Sequence, residues 1–250
     1  MNRLHAELQR LYLSHDAQRQ TPDAEEPALI GADGRVRAML LELARPASWE
    51  DVAKIWRGVQ TDLELPAPAI AVSGIDGYQL WFSLAEPVPV AQAIAFLKSL
   101  CRRYLGDIAP ERISMGPSID ASGAGHARHA KVLPPALVAP DRWSAFVAPD
   151  LAPLFADEPW LDLPPGPDAQ AELLSRFESL KPGDWQRALE RLMPASMPGV
   201  AQAPGALVDR ADPKSFLLNI MNDPTIELHL RIEAAKALLP YFESPFVSQP

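Results

Sequence analysis

Residues 69–87 read Ala-Ile-Ala-Val-Ser-Gly-Ile-Asp-Gly-Tyr-Gln-Leu-Trp-Phe-Ser-Leu-Ala-Glu-Pro, and little but a β-hairpin accommodates that order. Ile70-Ala71-Val72 is a short apolar run that stops at Ser73-Gly74, the pattern of a strand buried on both faces. Gly74 and Gly77 bracket Ile75-Asp76 and permit the positive φ that a tight reversal needs. The return strand alternates. Tyr78, Leu80, Phe82 and Leu84 fall on one face, and Gln79, Trp81 and Ser83 on the other. The first face suits packing against helices and the second is expected to stay open, so the function lies in what that open face carries.

Around this hairpin the chain falls into recognisable elements. Leu4, Leu8 and Leu11 lie at helical spacing and predict an amphipathic helix over 3–14. Residues 18–27 are polar, acidic and proline-bounded, a linker. Val36 to Leu43 alternates as a strand, with Met39, Leu41 and Leu43 opposite Leu40, Glu42 and Ala44. Ser48 is an N-cap for a helix that runs to about Leu63, with Glu50 and Asp51 in its first turn. A further helix begins near Val90 and ends at Gly106, and Arg112 to Met115 forms one more strand.

The order β-α-β-β-α-β predicts an α+β fold, a split βαβ (RRM-like) antiparallel sheet with both helices on one face. The expected domain division is 1–30, an N-terminal helix and linker; 31–148, the α+β unit; 149–200, a proline-rich and helical extension; and 201–250, a helical tail. Trp143, Phe146, Phe155 and Trp160 are expected to anchor the extension, which holds helices over 169–180 and 185–192. In the tail, Pro213 and Pro224 each open a helix.

Composition narrows the class of function. The net charge of −9 disfavours strong non-specific binding to DNA, since neutralising phosphates needs clustered Lys and Arg. One cysteine, Cys101, allows neither an internal disulfide nor a cysteine zinc cluster, and its apolar neighbours predict a buried, inert thiol. No apolar run approaches the roughly 20 residues of a membrane span, and the N-terminus carries no apolar signal-peptide core. A cytoplasmic location without membrane partners is the expectation.

Ser73-Gly74-Ile75-Asp76-Gly77-Tyr78-Gln79 resembles the Ser-Gly-x-x-Gly-x-His strand motif of archaeo-eukaryotic-type primases and primase-polymerases. Leu41-Glu42-Leu43-Ala44-Arg45-Pro46 is similar to their Asp-hydrophobic-Asp-Arg-Pro strand. The resemblance spans roughly residues 31–135. It implies two acids on the first strand and one on a later strand that hold two divalent metals, and a histidine that meets the phosphates of the incoming nucleotide.

This chain departs from that pattern at each position. Glu42 stands at the first acid, Ala44 at the second and Gln79 at the histidine. The third motif reads Ile113-Ser114-Met115-Gly116-Pro117, with Asp120 the nearest carboxylate after it, beyond a Gly-Pro break. Two-metal phosphoryl transfer needs several carboxylates around ions about 3.5–4 Å apart. Glu42 and Asp120 alone are a poor set for oxygen-seeking Mg²⁺, and Gln79 carries no positive charge.

The sequence therefore predicts a primase-like shell without metal chemistry. Its expected role is to bind nucleic acid, a nucleotide or a replication-related protein. The alternatives are a residual nucleotidyltransferase using Glu42, Asp120 and Mg²⁺ or Mn²⁺, and a protein-interaction scaffold recruiting its partner through residues 212–242. No cofactor is otherwise expected.

The candidate binding residues are Ser73, Gly74, Gln79 and Trp81 on the hairpin, Arg102 and Arg103 on the second helix, and the basic stretch His126, Arg128, His129 and Lys131. Each has a plainer reading. Glu42 is then a solvated carboxylate, and the Gln79–Trp81 face is covered by a loop or tail. The basic stretch becomes a solvated loop, and the two arginines become the exposed side of a helix. A Ser73–His126–Asp76 triad lacks any nucleophile elbow.

Overall fold

The computed structural model describes residues 2–13, 29–119, 127–192 and 228–238. The predicted linker over 18–27 and the first tail helix lie outside them. Strand β1 (Arg35–Ala44) leads into helix α2 (Trp49–Thr61), after a first helix α1 (Arg3–Leu11). Strands β2 (Ala69–Val72) and β3 (Gly77–Pro89) form the expected hairpin and lead into α3 (Val90–Tyr104). Then come β4 (Ile113–Gly116), a small ladder of β5 (Ser118–Ile119) with β6 (Ala127–Arg128), and the pair β7 (Ala136–Ala139) and β8 (Arg142–Val147). Helices α4 (Pro167–Leu174) and α5 (Pro182–Leu192) follow.

The fold is α+β, built on a curled antiparallel sheet of six strands in the order β4-β1-β3-β2-β8-β7. Two strands beyond the predicted four join the sheet, β7 and β8, with β8 paired to β2. β2 is apolar on both faces and would leave an unpaired edge beyond the hairpin. β8 satisfies it, with Ile70 opposite Val147 and Val72 opposite Ala145.

Local chemistry accounts for the helices on the first face. Ser48 Oγ accepts from the Asp51 backbone N–H at 3.3 Å and starts α2 as predicted. Val52, Ile55 and Val59 of α2, with Ile94, Phe96, Leu97 and Leu100 of α3, pack on Met39, Leu41, Leu43, Tyr78, Leu80 and Phe82. Trp185, Ala188 and Leu192 of α5 join this core, with the Trp185 ring 4.6 Å from that of Phe96. Each large side chain buried there contributes about 1.5–3 kcal/mol.

The second sheet face is not open, and the helices are not confined to one side. Leu11 and Tyr12 at the end of α1 and Leu174 of α4 close over Ala38, Leu40, Ala71, Trp81 and Phe146 in a second core. Tyr12 stacks on Phe146 with centroids 5.9 Å apart and leans on Trp81 at 5.5 Å. An apolar Trp on a half-covered sheet needs such a lid. Gln170 of α4 fastens it, exchanging two 2.9 Å hydrogen bonds with the backbone of Phe146.

The segment after α4 is shorter in helix than the 169–180 periodicity predicts. Leu180 leaves the helical path because its N–H donates to Ser83 O and its carbonyl accepts from Ala85 N–H, prolonging the sheet. Residues Met1–Met197 form one compact unit, so α1 and the described part of the extension, 149–192, belong to the same body as the sheet. Pro198–Pro250 form a second unit. Within it the described element is a helix α6 (Leu228–Leu238), inside the predicted tail segment 212–242. No helix among the described residues is long and apolar enough to cross a membrane.

Candidate functional site

Register decides the site. Glu42 on β1 lies opposite Gln79 on β3 and opposite Ser114 on β4, so alternation projects these three side chains in one row across the sheet. Above the row is a cavity of about 290 Å³, near the lower end of the range for small-molecule sites. Leu40, Val132 and Val138 give it apolar walls. Ser73, Ser114, Ser118 and Lys131 give it polar ones. It sits at the end of the second face that the α1 lid leaves uncovered.

Three side chains form a chain of hydrogen bonds at the floor. Trp81 Nε1–H donates to Gln79 Oε1 at 2.9 Å, and Gln79 Nε2–H donates to Glu42 Oε2 at 3.0 Å. The indole is a donor only, so it fixes which end of the Gln79 amide faces Glu42. Burial pushes the Glu42 carboxyl above its usual range. The Gln79 hydrogen bond opposes that shift, and the charges of Asp76 and Arg45 act in opposite directions. Among the described residues lining the cavity, Glu42 is the sole carboxylate. One desolvated carboxylate, already engaged by an amide, does not fit an ion that demands several oxygen ligands.

The remaining candidates separate. Ser73 Oγ accepts from the N–H groups of Ile75, Asp76 and Gly77 at 3.0–3.2 Å and closes the hairpin turn. Gly74 has φ +83, and a Cβ there would press on Val138 and come within 2.8 Å of Ser144 N. Ser73 lines the cavity, and Gly74 packs against Val138 of its wall. Trp81, 1% exposed, lies inside the second core and offers no face to a ligand, although the sequence places it on an open strand face.

Arg102 and Arg103 end α3 in the helix layer across the sheet from the cavity, and Arg103 pairs with Asp62 at 3.4 Å. Asp120 and His126 lie outside the described residues. Arg128 is exposed in β6, opposite Ser118. Lys131 is exposed and reaches the cavity. Burial raises the Cys101 thiol to about 11, which keeps it protonated and unreactive at neutral pH.

His129 is a structural group. Its Nε2–H donates to Ala38 O at 3.0 Å, Nδ1 accepts from Ala130 N–H at 2.8 Å, and its ring lies near that of Trp81. Both ring nitrogens are used in the neutral form, and burial lowers its pKa from 6.5 to about 4. The unfolded chain therefore binds a proton first as pH falls. Stability contributed by neutral His129 is complete above pH 6.5 and is lost between there and about pH 4, by about 3 kcal/mol in total. Glu42, shifted up, works in the opposite sense on acidification. The urea midpoint of the native protein is expected to fall between pH 7 and about pH 4.5, and that of His129→Gln to fall markedly less.

Neither the apolar walls nor Ser114 and Ser118 stand out in the sequence as site residues. Ser114 carries a signal that could have found it, because it is two residues before Gly116 on a strand whose pairing with β1 brings it beside Glu42. No family model matches this chain, and no curated protein matches it.

Proposed function

We propose that this chain is a non-catalytic, primase-like binding module that takes a nucleotide or a nucleic-acid end in the cavity above Glu42 and Gln79. The observation that carries this reading is the pairing of those two residues on neighbouring strands, at the positions where the resembled primases place a metal-binding acid and a phosphate-binding histidine. The chain path β1-α2-β2-β3-α3-β4, with β4-β1-β3-β2 as its part of the sheet, supports an RRM-like split βαβ core beneath that cavity. Replacement of the acid at Ala44 and of the histidine at Gln79 removes the charges that phosphoryl transfer uses while leaving a concave, partly apolar recess. A nucleic-acid or replication-related context comes from the resemblance alone.

Two measurements test the reading. Primer extension on a templated substrate with Mg²⁺ or Mn²⁺ is expected to give no incorporation, and incorporation abolished by Glu42→Ala refutes the non-catalytic assignment. Titration with mononucleotides and with a fluorescent single-stranded oligonucleotide is expected to show binding. Lys131→Glu should weaken it about fivefold or more at low salt, since charge at an exposed rim acts through a screened field. Absence of any binding refutes the reading itself.

A further inference from the structure

The floor of the cavity carries an ordered set of hydrogen-bonding groups that its own residues leave unfinished. Gln79 is 9% exposed. One of its two amide hydrogens goes to Glu42 Oε2, and the other has no acceptor among the described residues. Glu42 Oε1 likewise has no donor among them. Because Trp81 holds Oε1 of the amide, Gln79 cannot turn to present its carbonyl instead. The floor therefore shows a fixed N–H donor beside a carboxylate that is short of donors. Buried polar groups left this way are costly unless a partner completes them.

Glu42 Oε2 keeps a second lone pair after accepting from Gln79, so a flat partner that engages both carboxylate oxygens and the free N–H presents one acceptor followed by two donors. Guanine does so along one edge, with O6, N1–H and the exocyclic amine. Adenine puts its N1 lone pair toward the carboxylate, cytosine puts N3 and O2 there, and uracil has a single donor between two acceptors. Leu40 and Val138 supply apolar walls for the faces of a base, and Lys131 supplies a cation for a phosphate. A phosphate directed at the floor would instead meet Glu42, with Lys131 out at the exposed rim.

Resting on the nucleotide-binding reading above, we infer that the cavity reads the hydrogen-bonding edge of a guanine base. Glu42 accepts from N1–H and the exocyclic amine, Gln79 donates to O6, and the phosphate points outward toward Lys131. This orientation sets the base, and not the phosphates, against the row of Glu42 and Gln79.

Calorimetric titration of the full chain with GMP, IMP, AMP and inorganic phosphate tests it. GMP is expected to bind. IMP, lacking the exocyclic amine, should bind about tenfold more weakly, and AMP about 100-fold more weakly, the range for lost hydrogen bonds to a charged group. Glu42→Gln, with folding checked by its urea midpoint, should abolish the preference for GMP over AMP. The series GMP, IMP, AMP on the native chain gives the same answer should that variant fold poorly. Equal binding of GMP and AMP, or binding of inorganic phosphate as tight as that of GMP, overturns the guanine assignment while binding at the site stands. Failure of every mononucleotide and of the single-stranded oligonucleotide overturns both readings.

Discussion

Trp81→Ala is expected to destabilise the protein by about 3–5 kcal/mol, the range for removing a large aromatic from a packed interior. Trp81 is 1% exposed and sits among Tyr12, Phe146 and His129, with ring centroids 5.5, 6.5 and 6.3 Å away. Truncation leaves a cavity that neither strand backbone nor the short α1 helix can collapse into. It also frees Gln79 Oε1, so the amide loses the contact that sets its orientation toward Glu42. Trp81→Phe separates the two effects. It keeps most of the ring volume and loses the N–H donor, and is expected to cost about 1–2 kcal/mol. Urea unfolding with an unchanged slope checks both values. A loss below about 1 kcal/mol for the alanine variant would mean that the second core is not packed as described.

Arg37→Met is expected to cost about 2–4 kcal/mol and to loosen α1 before the rest of the unit unfolds. Arg37 is 7% exposed, and its guanidinium donates to Arg10 O at 2.8 Å, Leu13 O at 3.3 Å and Leu84 O at 3.4 Å. Two of these carbonyls lie at or just past the C-terminal end of α1, where a helix leaves acceptors without partners and favours a cation. Methionine fills similar space and offers no donor, so all three carbonyls lose this partner. Ser83 Oγ, which donates to Leu11 O at 2.7 Å, is then the remaining side-chain donor to the end of α1 among the described residues. Hydrogen exchange checks the order of events. Amides of residues 3–13 should lose protection in Arg37→Met while those of β1 and β3 keep most of theirs, and uniform loss across the unit would contradict it.

Trp81 and Arg37 mark where reading from sequence succeeds and where it stops. Alternation places Trp81 on the same face as Gln79, and the structure agrees. It cannot say that the face is roofed by a helix from the far N-terminal end of the chain. For Arg37 alternation misleads. The β1–β3 register shifts between Val36 and Ala38, and Arg37 turns toward α1. That irregularity depends on how β3 continues past Ser83, not on any property of residues 36–38.

Local chemistry alone determined the hairpin with its Ser73-Gly74 turn, the Ser48 cap, the periodicity of α1, α2 and α3, and the apolar face that α2 and α3 share with the strands. These are short-range preferences, set by side chains within a turn or two of one another. Tertiary structure decided that β8 closes the edge of β2, that α1 and α4 cover the second face, and that Ser114, Glu42 and Gln79 form one row. Such features arise from pairing between segments far apart in the chain, where register and burial, and not propensity, choose among arrangements that the same local pattern allows.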